Sequence, residues 1–172
     1  MMNTLNDDEL CAVLIQNLSE ALPELEIQGG ADEPFYEAAK DGKKAVLYFR
    51  DNYPRSLLHE LSHYCLAGDR RRKLDDFGYW YFPCGRTEEE QLLFEQVEAR
   101  PQGLEKAMCE AIGIKFSPSL DDFSGRPASD SFLNKLDTTY NEMHTSAPPT
   151  AKIVLQTLSK INNQSVKDSE NI

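Results

Sequence analysis

Apolar residues return along most of this chain every three or four positions, the spacing of one helix face. Leu10, Val13, Leu14 and Leu18 predict an amphipathic helix over 7–21, capped by Asn6 or Asp7 and ended near Pro23. The glycines and proline of 28–34 predict a loop. Ala45-Val46-Leu47-Tyr48-Phe49 is β-prone and bounded by turn residues, so it predicts a strand. Leu57, Leu58, Leu61, Tyr64 and Cys65 form the stripe of a mostly buried helix over 54–67. Asp51 or Asn52 is its expected cap, Pro54 suits its first turn and Gly68 stops it.

Residues 74–86 are rich in aromatics but carry too many breakers for a long regular element. Thr87 and Glu90 have the spacing of a capping box and open a helix through Leu92, Leu93 and Val97. Pro101 is expected to interrupt or kink it, because its ring removes a backbone donor and crowds the preceding turn. Leu104, Ala107, Met108, Ala111 and Ile112 resume the helical pattern to Gly113. Asp130 is the expected cap of a helix bearing Leu133, Leu136 and Tyr140, and Pro148-Pro149 separates it from a last helix near 151–162. The polar residues 163–172 predict a disordered tail. The predicted fold is therefore α+β: one helix-rich catalytic domain over 1–162, with a small sheet and a zincin-like metal-binding helix.

Composition narrows the function classes. The formal net charge is −11, which opposes nucleic-acid binding and anionic membranes and favours cationic ligands. No run approaches the length of a membrane span, and the first residues lack the features of a signal peptide, so a cytoplasmic protein is expected. Cys11, Cys65, Cys84 and Cys109 form no close pair, which opposes a zinc ribbon or a redox dithiol. Cys65 and Cys109 fall inside apolar helical patterns and read as core residues.

The chemistry concentrates in His59-Glu60-Leu61-Ser62-His63, which holds two of the chain's three histidines. A four-residue spacing puts His59 and His63 on one helix face, one turn apart, where both rings can reach one metal ion. Glu60 lies about 100° around the helix, placed to address metal-bound water rather than to complete the ligand pair. A catalytic mononuclear centre wants a third protein ligand and an open position. His144, near a helix end before the double proline, reads as solvated. Glu95 and Glu98 share a helix face, and Glu98 is favoured because a carboxylate between Val97 and Ala99 is costly unless paired or metal-bound. The bland alternative is a solvated helix face. Two histidines and one carboxylate serve zinc for hydrolysis or ferrous iron for oxygen chemistry, and ligand type alone leaves both open.

Several runs together resemble one family. They are Asp32-Glu33-Pro34, His59-Glu60-Leu61-Ser62-His63, Asp76-Phe77-Gly78-Tyr79-Trp80-Tyr81, Pro83 with Gly85-Arg86, and Phe94-Glu95-Gln96-Val97-Glu98 followed by Pro101-Gln102. Over residues 28–125 the chain resembles the elongation factor P hydroxylases. The resemblance implies a non-haem metal hydroxylase, with iron as the expected metal and zinc as the alternative. It implies molecular oxygen as a substrate and translation elongation factor P, already β-lysylated on a lysine, as the protein partner. The His-x-Asp signature of the jelly-roll oxygenases is absent, so 2-oxoglutarate is not expected. A β-lysyl-lysine side chain is cationic, which makes Asp76 and Glu95 expected substrate contacts, along with the ring faces of Tyr79 and Trp80. Packing of the aromatic block behind the metal helix is the alternative. The rival functions are a zinc-dependent metalloprotease or hydrolase, with Glu60 as general base, and a binding module pinned by a structural metal.

Overall fold

The computed structural model describes residues 5–79, 86–120 and 125–170. Among these residues five α-helices and a small sheet form an α+β domain: α1 (Asp7–Ala21), β1 (Leu25–Ala31), β2 (Phe35–Glu37), β3 (Ala45–Arg50), α2 (Pro54–Arg71), α3 (Glu88–Ile112), α4 (Asp130–Ser146) and α5 (Pro149–Glu170). The sheet order is β1-β3-β2, with β1 parallel and β2 antiparallel to β3. Leu25 and Ile27 of β1, Tyr36 of β2 and Ala45, Leu47 and Phe49 of β3 are buried. They join a core made with α1, α5 and the apolar stripe of α2. Alternation along the strands thus sends one face of the sheet inward. Among the described residues no helix is long and apolar enough to cross a membrane.

Local signals explain most boundaries. Asn6 caps α1 by accepting from Glu9 N at 2.9 Å, while the Glu9 carboxylate accepts from Asn6 N at 3.0 Å. Thr87 and Glu90 make the same reciprocal pair at the start of α3. Gly68 leaves helical geometry inside α2 (φ 71°, ψ 170°), so the regular part of that helix ends where expected and a further turn follows.

Several expectations need correction. Residues 28–31, read as loop, form the end of β1, whose register slips between Gln28 and Ala31. A Cβ on Gly29 would lie 2.5 Å from Asn52 Oδ1 and 2.7 Å from Phe49 Cζ, so glycine there permits close packing inside an irregular strand. The short strand β2 carries no alternation long enough to be read. The cap of α2 falls on Tyr53, without a capping side chain, and the cap of α4 on Ser129, whose Oγ accepts from Phe132 N at 3.1 Å. Pro101 does not break α3, which runs unbroken from Glu88 to Ile112. One missing ladder bond is outweighed by packing against α2, α4 and α5. A Cβ on Gly103, two residues on, would meet Leu136 O at 2.5 Å, so its absence lets α4 lie against α3. The segment beyond residue 162, expected to be disordered, continues α5 as far as Glu170. Residues 163–170 hold no proline or glycine to interrupt the helix.

Candidate metal centre

The two faces of α2 have opposite destinations. Leu57, Leu58, Leu61, Tyr64 and Cys65 enter the apolar core, while His59 and His63 turn toward α3. The facing side of α3 is unusual in being polar and buried. Gln91, Glu95, Glu98, Gln102 and Glu105 recur at intervals of four, three, four and three residues, and all are buried. That spacing keeps them on one stripe of the helix. Burial of such groups is costly unless each finds a partner. Each residue finds at least one: Gln91 Oε1 accepts from Arg86, although its Nε2 is left without a partner among the described residues, Glu95 accepts from Ser129, Gln102 exchanges hydrogen bonds with Ser119, and Glu98 and Glu105 meet the histidines.

His59, His63 and Glu98 converge so that one ligand atom from each lies within 4.8 Å of the other two. The two Nε2 atoms are 3.3 Å apart. Glu98 Oε1 is 3.0 Å from His63 Nε2, and Glu98 Oε2 is 3.5 Å from His59 Nε2. Metal bonds of about 2.0–2.2 Å place neighbouring ligand atoms about 3.0–3.5 Å apart in octahedral or tetrahedral geometry. The group fits a single ion. His63 and Glu98 keep 8 % and 2 % of their side chains exposed, against 28 % for His59, so solvent reaches the group from the side of His59. Gln102 Nε2 donates to Glu98 Oε2 at 3.3 Å and also to Ser119 O at 2.5 Å, which ties the carboxylate to the segment after α3.

The charges in this cluster are strongly coupled. Burial opposes a charged His59, but Glu98, Glu105 and Glu60 outweigh it and raise the ring from 6.5 to about 10. Burial likewise opposes an ionised Glu98, yet His63 and His59 hold it down at about 2. Glu60, half-buried beside them, is shifted upward, chiefly by burial, with the two histidines acting in the opposite sense.

A family model described as elongation factor P hydroxylase matches residues 16–171, nearly the whole chain. The chain belongs to the elongation factor P hydroxylase family. A relative in Haemophilus influenzae, the elongation factor P lysine hydroxylase, is 41 % identical over 121 residues, covering 70 % of this chain and 67 % of that protein. The family likeness read from the motifs therefore extends beyond residues 28–125 into α1, α4 and α5.

Within this member of the elongation factor P hydroxylases, the remaining expected residues are placed unevenly around the triad. Phe77 lies with its ring parallel to His63 at a centroid distance of 6.4 Å, and Tyr79 meets His63 edge-on at 6.5 Å. Asp76, Phe77 and Gly78 are successive left-handed residues (φ 48°, 60° and 72°). Strain of that kind persists only where neighbours impose it. Here Asp76 Oδ1 accepts from Tyr36 N and Asp75 Oδ1 from Ala38 N, both at 2.9 Å, and Phe77 stacks on Tyr36 at 4.2 Å. Strand β2 thereby pins this turn beside His63. Burial shifts Asp76 upward, with Asp75 adding to it and Tyr36 N and His63 opposing. Trp80 and Cys84 lie outside the described residues. Glu95 stands apart from the triad, its carboxylate accepting the Ser129 hydroxyl at 2.7 Å. His144 sits half-exposed, 3.5 Å from Glu110.

Two buried residues of the site were not among those expected. Gln102 holds Glu98, and Glu105 lies 2.9 Å from His59 Nδ1. The signal for both was present in the sequence as the four-three spacing that runs from Gln91 to Glu105. Reading Pro101 as a break divided that stripe in two.

Proposed function

We propose that this chain is a metal-dependent protein hydroxylase that oxidises a lysine side chain of elongation factor P, the β-lysylated form being its substrate, in the cytoplasm. The observation that carries the proposal is the convergence of His59, His63 and Glu98 on one point, in a chain of this family. The name of the Haemophilus influenzae relative, an elongation factor P lysine hydroxylase, supports it. A ferrous ion held by the three residues would supply redox chemistry with molecular oxygen as co-substrate, and the ligand set alone serves zinc equally.

The chain's own residues divide the remaining work. His59 and His63 offer Nε2 and Glu98 offers carboxylate oxygens, leaving the side toward solvent for exogenous ligands. Glu60, shifted upward by burial, holds a proton on its carboxyl oxygen more readily than an exposed glutamate and can pass it to the reacting centre. Asp76 offers a carboxylate and Tyr79 the ring face left open by the Arg71 guanidinium, which covers the other at 4.3 Å from the centroid, features that would receive an ammonium-bearing side chain, with Trp80 next along the chain. Glu95 is not carried into this set, because its buried carboxylate already accepts the Ser129 hydroxyl.

The test is the intact mass of β-lysylated elongation factor P after incubation with iron-loaded protein, oxygen and a reductant. A gain of one oxygen, lost with His59→Ala, is the expected result. Unmodified substrate together with Glu60-dependent cleavage of peptides would instead establish the zinc hydrolase.

A further inference from the structure

The stripe of α3 that supplies Glu98 carries a second buried carboxylate two turns further along, and the three-residue ligand group does not include it. Glu105 is 3 % exposed and lies between two side chains of α2. Its Oε1 accepts from Arg55 Nη2 at 2.6 Å, and its Oε2 lies 2.9 Å from His59 Nδ1. Arg55 is itself held: Nη1 donates to Ser117 Oγ at 3.0 Å, Nη2 to Ser117 O at 2.9 Å, and the guanidinium covers the Phe116 ring. A continuous strut therefore runs from the segment after α3, through Arg55 and Glu105, to the back of one imidazole.

We propose that Glu105 is a positioning residue of the metal centre, fixing His59 with its proton on Nδ1 and its lone pair on Nε2. A neutral imidazole has one donor and one acceptor nitrogen, and the hydrogen bond made by one decides which is free to ligate. Glu105 occupies Nδ1, and Nε2 is the atom that faces His63 Nε2 at 3.3 Å and Glu98 Oε2 at 3.5 Å. Glu105 meets the ring on its other nitrogen, so it supports the ligand group from behind and is not a fourth member of it. Arg55 compensates the buried charge and fixes the carboxylate plane; a plain Arg–Glu pair would leave the second oxygen free, and here it is aimed at the ring.

This inference rests on the reading of His59, His63 and Glu98 as a metal centre, and the experiment separates the two. Zinc affinity is measured by chelator competition for wild type, Glu105→Ala and Glu105→Gln, with His59→Ala as the lost-ligand control. Long-range 1H–15N spectra of the imidazoles are recorded on zinc-loaded wild type. Expected are affinity weakened about 10- to 100-fold in Glu105→Ala, and less in Glu105→Gln, whose amide oxygen still accepts from Nδ1–H. The spectra should show His59 bound through Nε2 with a retained Nδ1 proton. Zinc on Nδ1 of His59, or a folded Glu105→Ala within twofold of wild type, would overturn the positioning role alone. If Glu105→Ala does not fold, the wild-type spectrum and Glu105→Gln decide. Wild type that takes up no zinc, like His59→Ala, would overturn the metal centre and the positioning role together.

Discussion

Helix α2 joins two regions built on opposite principles. On one side Leu57, Leu58 and Leu61 are fully buried among Leu14, Leu18, Leu47 and Phe49. Each such side chain contributes about 1.5–3 kcal/mol from leaving water, with little demand on exact geometry. On the other side the seam with α3 buries His63, Glu98, Gln102 and Glu105, groups whose desolvation is offset only through specific partners. A seam of leucines would hold the helices together at least as well. The difference teaches where stability and chemistry part company: the apolar face makes the fold, and the polar seam spends stability to bring two histidines and a carboxylate together.

Paired substitutions on the two faces test this contrast most strongly. Leu61→Ala is expected to cost about 2–5 kcal/mol in denaturant unfolding, while the molecules that remain folded still take up metal. Glu98→Gln, nearly the same shape, is expected to cost less stability than Leu61→Ala and yet to abolish metal uptake in equilibrium dialysis. The reverse ranking would break the contrast.

A smaller effect concerns protons. In the metal-free site His59 is raised to about 10, so at neutral pH a metal ion must displace its proton, whereas Glu98, held at about 2, is already ionised. Affinity should therefore rise about tenfold per pH unit as the pH climbs toward 10, with release of about one proton per ion at pH 7. Calorimetry in buffers of different ionisation enthalpy measures that release, and pH-independent binding would contradict it. The sign for stability is opposite. The pairing of His59 stabilises the metal-free fold fully below pH 6.5 and is lost as the pH rises through about 10.

The apolar side has its own, weaker signature. Burial pushes the thiols of Cys11, Cys65 and Cys109 up to about 11, 12 and 12. All three should resist alkylation in the native protein at neutral pH and react once it unfolds, as read by peptide mass analysis.

Much of this organisation was legible in the sequence, because the signals were local. The Asn6 and Thr87 caps, the apolar stripe of α2 and the four-residue interval from His59 to His63 each depend on a few neighbours, and the favoured third ligand, Glu98, is the one the structure brings to the histidines. What stayed hidden depends on contacts distant in the chain. Gly29 reads as loop until Phe49 and Asn52 crowd it, and Pro101 reads as a break until the packing of neighbouring helices is seen to keep α3 continuous through it. Glu105 looks like one more surface glutamate until Arg55 and His59 close around it.

The most direct measurement is anomalous diffraction from the protein crystallised with cobalt(II). A single peak about 2.0–2.2 Å from Nε2 of His59, Nε2 of His63 and a carboxylate oxygen of Glu98 is the expected result. A peak elsewhere, or none with the two rings turned apart, would contradict the assignment of this seam as a metal centre.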